Sequence, residues 1–382
     1  MLTAIVALLL LAANATGASP FAPPPKPAPK IVRLLAPSGA FNARAFREFH
    51  RDRGYEVAYD AYGDPARVFQ MMKEVAYDVV ILPGPELARA IAAGELRKLN
   101  RAELPNAKRV AEPVATKLAA YDPSGAYSLA WGWSPTGLIY DANKVPRLLG
   151  FTPNSWSDAL APAIAGRLAP CGVALPDARD EMYIAAWRQL GILPERANER
   201  AVKAAADLII RARAAVRLPI SRDPLTAISG GAVCLTFGGP AQAEIASRRS
   251  REGGAGFDIR FAEPREGGPI SLDALVEPRD APHPKEAAAL MDYLLRPTVV
   301  AEAAAAAGMK SAEDAGQQNF RGLWPVAVYN PALLPLIEKE WARAHGPEKA
   351  QKTSSKSKGK PEVKPASKPA KKPAKKPAKR KR

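Results

Sequence analysis

The sequence predicts a two-lobed α/β protein, on three observations. Short apolar runs alternate with longer helical patterns. One run, residues 78–82, has no polar alternation, as expected of a strand covered on both faces. The rhythm then begins again after Gly137–Asp141. A chain of 382 residues, 47% hydrophobic, can bury one large core or two medium ones.

In the first lobe the spacing predicts a strand at 31–35 and a helix over 43–53 with Phe46 and Phe49 facing inward. A strand at 55–59, a helix over 65–75, the buried strand at 78–82 and a helix over 85–93 stopped by Gly94 follow. After the strand at 137–141, further strands are expected at 171–175, 233–237, 259–261 and 270–276. Helices are expected over 181–190, 198–215, 240–249, 284–295, 297–307 and 331–341. Pro284 and Pro297 suit the first turn of theirs. The rhythm read is that of a parallel α/β architecture. The expected division gives lobe 1 residues 31–140 and 266–310, and lobe 2 residues 141–265 and 311–345.

The two ends read differently. Residues 1–18 hold an apolar run, 5–13, and the small-x-small triplet Ala13, Asn14, Ala15, the pattern of an export signal cleaved after Ala15 or Ala18. No Lys or Arg precedes the run, so an uncleaved apolar N-terminus stays open beside it. Residues 19–30, rich in Pro and Ala, form a linker. Residues 346–382 carry thirteen lysines and two arginines against Glu348 and Glu362, so +13 of the chain's +17 sits there and the folded part is only mildly basic. That Lys, Pro and Ala text cannot bury enough apolar area to offset its chain entropy, and disorder is expected.

Catalytic constellations are missing from the reading. His50, His283 and His345 are scattered and none stands at metal-ligand spacing. No Gly-x-Ser-x-Gly elbow occurs, and Gly308, Met309, Lys310, Ser311 lacks the Gly-Lys-Ser adjacency of a phosphate loop. No enzyme, cofactor or metal site is expected. The two cysteines, Cys171 and Cys234, each adjoin an apolar run, and the residues alone allow either a bridge or two separate buried thiols.

Several segments, in order and at similar separations, resemble the periplasmic putrescine and spermidine binding proteins of ABC transporters. They are 121–123 with 133–141 and 143–145; Ser155 and Trp156; 171–173; 177–181; 231–234; and 292–300. The resemblance covers about residues 31 to 300 and implies a type II periplasmic-binding fold whose lobes close on a solute. It also implies a Cys171 to Cys234 bridge.

A polyamine site needs carboxylates for the ammonium ends and aromatic faces for the methylene chain. Glu181 and Asp273 fall where the resemblance places two acids, and Asp273 stands inside an apolar run where an unpaired carboxylate is costly. The family's Trp-Ser-Asp falls on Ser38, Gly39 and Ala40; a later Trp and Asp fall on Gly239 and Gln242; a Tyr falls on Met309. Trp131 and Trp133 are candidates to replace the lost rings, with a core position as the alternative, and Glu244 to replace an acid. The expected ligand set is thus Glu181, Asp273, Trp131, Trp133, Ser38 and Gln242.

Two functions follow. One is a periplasmic, monomeric receptor that hands a small cationic amine to an ABC transporter permease. The other is an envelope protein with a degenerate cleft whose tail binds anionic lipid or lipopolysaccharide. Nucleic acid is not expected as a partner of an exported chain.

Overall fold

The computed structural model describes residues 30–216 and 218–345. The expected signal peptide, almost all of the linker, and the basic tail lie outside the described residues.

The strands in chain order are β1 (Lys30–Pro37), β2 (Tyr55–Tyr62), β3 (Val79–Pro83), β4 (Ser128–Pro135), β5 (Gly137–Asp141) and β6 (Ala174–Pro176). They continue as β7 (Leu218–Ser221), β8 (Leu235–Gly238), β9 (Ile259–Ala262), β10 (Gly268–Val276), β11 (Lys310–Ser311) and β12 (Leu323–Pro325). The first sheet has the order β11-β4-β10-β3-β1-β2, with β12 beside β10. β1 runs parallel to β2 and β3, as the alternation of strands and helices predicts. β10 departs from that reading, for it is antiparallel to both β3 and β4. The reason is its point of entry. It comes from the second lobe, and Asp273 pairs with Pro83 at the carboxyl end of β3 before the strand reaches Val276 opposite Val80. A mid-strand residue of β10 therefore stands level with the ends of the parallel strands, where ligands of α/β sheets bind.

The second lobe is built on β8-β5-β9, antiparallel throughout, and the parallel pair β6-β7. An isolated bridge between Val173 and Leu235 joins the two, and beside it Cys171 and Cys234 form a disulfide with Cα atoms 5.4 Å apart. Closing a loop of 63 residues contributes about 4 kcal/mol in the chain-entropy account.

The lobe boundaries differ from those expected. The chain leaves the first sheet at Pro135 and enters the second at Gly137, because both edges of β5 are paired there, to β8 and β9. Thr136, not residue 140, marks the crossing. Residues 311–325 stay with the first sheet, since β11 pairs β4 and β12 covers the part of β10, Gly268 to Ile270, that β3 does not reach. The helix Leu334–His345 joins the second lobe, with Ile337 and Ala344 in one core with Val202, Ile209 and Trp187, and Val326 and Leu333 ahead of it reach the same core.

The helices begin and end where local chemistry allows. Asn42 accepts from the N–H groups of Arg44 and Ala45 to open Ala43–Arg53, and Gly54, at φ 73, closes it. That helix buries Phe49 under one face of the first sheet, with Phe46 packed beside it. No helix among the described residues is long and apolar enough to cross a membrane.

Candidate functional site

A cleft of about 1320 Å³ opens at the carboxyl ends of β1, β2 and β3, where Ser38, Gly63 and Glu86 line it, and over Asp273 of β10. From the second lobe it takes the start of the helix Arg179–Gln189, with Asp180 and Glu181, and the end of β8 with Gly238, Gly239 and Gln242. The segment from Val326 to Tyr329, running between β12 and the last helix, lines it as well. Six carboxylates face it against three arginines and no lysine, so its wall attracts cations.

The outer charges are already partnered. Arg179 meets Asp180 at 2.9 Å and Glu338 at 3.6 Å; Arg222 meets Asp177 at 3.4 Å; Asp223 caps the helix Pro224–Ser229 through Thr226 N–H. Asp180 also accepts from the Tyr329 hydroxyl, at 3.0 Å. The inner three carboxylates are not so held. Asp273 is 8% exposed, and its carboxylate accepts no hydrogen bond from any described residue. Burial, and then the charge of Glu86, push its carboxyl up to about 7. Burial raises Glu181 too, with Asp180 adding to the effect. Glu86 is raised by burial against the pull of its own backbone N–H and of Arg89, whose guanidinium stands 3.9 Å away. Burial disfavours the charge of all three, Glu86 adds to the effect at Asp273 and Asp180 adds to it at Glu86 and Glu181, and a cation in the cleft would relieve them.

Tyrosines complete the wall. Tyr62 donates to the Ile81 carbonyl at 3.0 Å, and Tyr121 to the Val326 carbonyl at 2.6 Å. Gly84 is what lets the Tyr121 ring approach: a Cβ there would lie 2.1 Å from it.

The structure gathers Ser38, Glu181, Gln242 and Asp273 around the cleft and leaves Trp131 and Trp133 out of its wall. Both tryptophans are fully buried. Trp133 packs on Phe320 and donates through Nε1 to the carbonyls of Ser311 and Asp314. Trp131 packs against Phe41 on the opposite face of the sheet. A bulge accounts for the switch of face, since Asp273 pairs with Gly132 and Ala274 with Ala130, leaving Trp131 as the extra residue. Ser38 is exposed just past β1, where its N–H donates to Tyr62. Gln242 spends Oε1 on the Gly239 N–H, at 2.8 Å, to cap the helix Pro240–Glu252. Glu244 on that helix is exposed and lies outside the cleft wall.

Glu86, Tyr62 and Tyr329 lie outside the segments that carry the resemblance, while Asp180 and Tyr121 lie inside them without being expected as ligands. Glu86 had a signal, an acid three residues beyond a fully buried parallel strand; Tyr329 had none, because a loop brings it in. No cluster of His, Cys, Asp and Glu able to hold a metal occurs among the described residues.

Comparisons with known proteins agree with this geometry. Residues 44–314, more than half of the chain, match the family model described as bacterial extracellular solute-binding protein. The chain is 32% identical over 299 residues to a putrescine/agmatine-binding protein of Pseudomonas aeruginosa, covering 77% of each. It is 29% identical over 259 residues to the putrescine-binding periplasmic protein PotF of Escherichia coli, covering 66% of this chain and 70% of that one. Among solved structures, the spermidine/putrescine substrate-binding protein PotD of Streptococcus pneumoniae superposes with a TM-score of 0.71 at 12% identity, over 83% of this chain and 98% of the other. The Tp0655 lipoprotein of Treponema pallidum gives 0.68 at 19%, over 82% and 99%. At those identities the structural likeness speaks for the two-lobed fold.

Proposed function

The chain belongs to the bacterial extracellular solute-binding protein family, and on that premise we propose that it is the periplasmic receptor of an ABC importer, taking up a polyamine or related small cationic amine. The observation that carries the proposal is Asp273: a carboxylate in a β-strand, nine-tenths buried, that finds no donor among the described residues and faces a cleft with Glu86 and Glu181. A protein keeps such a group at a cost unless something from outside satisfies it. An ammonium ion does so through charge-assisted hydrogen bonds, and the rings of Tyr62 and Tyr121 supply apolar faces beside it. Relatives named for putrescine, agmatine and spermidine point to the same chemistry.

Glu181 and Asp273 anchor the amine from the two lobes, so its binding draws the lobes together. Calorimetric titration with putrescine, cadaverine, agmatine and spermidine tests the proposal, on protein stripped of ligand by unfolding and refolding with its disulfide intact. Glu181→Gln and Asp273→Asn are each expected to weaken binding about tenfold to a hundredfold, the worth of a desolvated charge-assisted hydrogen bond. Unchanged affinity in both variants, or no heat with any amine, would sink it.

A further inference from the structure

The charged groups of the cleft are not distributed evenly. Along the first sheet the order β4, β10, β3 sets Gly132, Asp273 and Pro83 side by side, and the acids lie on one side of that row. Beyond β3 stands Glu86, and Asp180 and Glu181 face the same region from the second lobe, since all four acids act on the single phenol of Tyr121. Beyond β4 the described cleft wall, formed by Ala307, Gly308 and Met309, carries no acid. There Met309 packs against Gly132, with its sulfur 3.2 Å from where a Cβ would be, and Gly308 packs against the Gln242 side chain. Gly239 adjoins the Ser134 hydroxyl. That pole consists of glycines, a thioether, a hydroxyl and one amide.

The amide is specific about what it accepts. Its Oε1 is bound to the Gly239 N–H, and its Nε2 donates to no described residue. What remains for a ligand at this pole is an N–H donor, which suits a carbonyl oxygen and opposes a second ammonium. An ammonium placed there would lose water and meet no carboxylate.

Resting on the receptor reading above, we infer that the preferred solute is a short linear amine with one ammonium end and one neutral carbonyl-bearing end, such as an N-acylated diamine, rather than a diamine charged at both ends. The ammonium sits among Glu86, Glu181 and Asp273. The acyl carbonyl accepts from Gln242 Nε2, and the methylene chain crosses between them past Met309. The pairing discriminates twice, by offering the ammonium Glu86, Glu181 and Asp273 at one end and by offering a donor at the other.

The test titrates the full chain with 1,4-diaminobutane, N-acetyl-1,4-diaminobutane and 1-aminobutane. The acetylated amine is expected to bind about tenfold or more tighter than the diamine, and more tightly than the plain monoamine, which lacks the carbonyl. Gln242→Glu keeps an acceptor for the Gly239 N–H and adds a carboxylate at the neutral pole, so it should reverse the order in favour of the diamine. A wild-type preference for the diamine overturns this inference and leaves the receptor reading standing; absence of binding by all three overturns both. Equal affinity for the acetylated amine and 1-aminobutane would remove the role given to Gln242.

Discussion

Asp122 and Asp273 are two buried aspartates of the first lobe, 1% and 8% exposed, and their carboxyls move in opposite directions. Burial pushes Asp122 up, but hydrogen bonds from the Tyr127 N–H and the hydroxyls of Ser124 and Ser128 outweigh it, and the group ends below the usual carboxylate range. Asp273 is buried too, and no described residue donates to its carboxylate. Asp78, fully buried, likewise accepts from its own chain, from the N–H groups of Arg33 and His283. Asp122 and Asp78 are thus closed upon by their own chain, whereas Asp273 is left open to the cleft. That difference separates a fold-forming carboxylate from a ligand-holding one more surely than burial does.

The largest effect that could break the comparison lies in the pH dependence of stability. Asp273 titrates near 3.9 in the unfolded chain and at about 7 in the folded one. Between those values the folded state holds a proton that the unfolded state has released, so unliganded stability falls as pH rises from about 4 to about 7. Asp273→Asn removes this slope and gains on the wild type by up to about 4 kcal/mol at pH 8. Urea unfolding at pH 5 and pH 8 checks it; parallel changes in the two proteins would place Asp273 with the scaffold acids.

Asp122→Ala should do the opposite, costing about 2–3 kcal/mol at neutral pH because a buried N–H and two hydroxyls lose their acceptor. Its folded carboxyl is depressed, so this contribution is present above the unfolded value and disappears as pH falls through the folded one. Amine affinity should not move. A loss of binding in Asp122→Ala with stability intact would reverse the roles assigned to the two residues.

How much of this contrast was visible in the sequence depends on what set it. The alternation of strand and helix text was enough for the lobes, and Asp273 stood out because a carboxylate inside an apolar strand is costly. Trp131 and Trp133 illustrate the limit. Strand alternation assigns both to one face, and the bulge at Trp131 sends them to opposite sides of the sheet, where each meets core partners. The bulge depends on how β10 pairs, which no local pattern carries. The antiparallel sense of β10 and the arrival of Tyr329 are likewise products of chain path. So is the capping of Gly239 by Gln242, although Gly-Pro-x-Gln at a helix start carries a local hint of it.

The same contrast governs binding against pH. Below about 7 Asp273 is protonated in the free protein, and an ammonium ligand must displace that proton. Affinity should then fall about tenfold for each unit of pH below 7 and level off above it. Calorimetry at pH 6 in two buffers of different ionisation heat is expected to report release of about one proton, and none at pH 8. Glu86 and Glu181, raised in the same direction, would steepen the fall in more acidic solution. Asp273→Asn should flatten the profile near neutrality, and an unchanged profile would move the titration to another group.

The smallest effect tests whether the cleft wall, like its acids, is held by specific contacts. Gly63 and Gly84 both line the cleft, and nothing lies within 4 Å of a Cβ at Gly63, while one at Gly84 would enter the Tyr121 ring. Tyr121 is buried and tied to the Val326 carbonyl, so its ring cannot swing away without drawing on the segment that carries Tyr329 and, through it, Asp180. Some relief is available because the ring borders open volume, which puts the cost of Gly84→Ala near the low end for overpacking, about 1 kcal/mol in stability. A similar penalty in closing the cleft would weaken amine binding about fivefold. Gly63→Ala should leave both quantities unchanged. Equal behaviour of the two variants would mean that Tyr121 gives way freely, and that the wall beside the open carboxylates is shaped by the ligand rather than prepared for it.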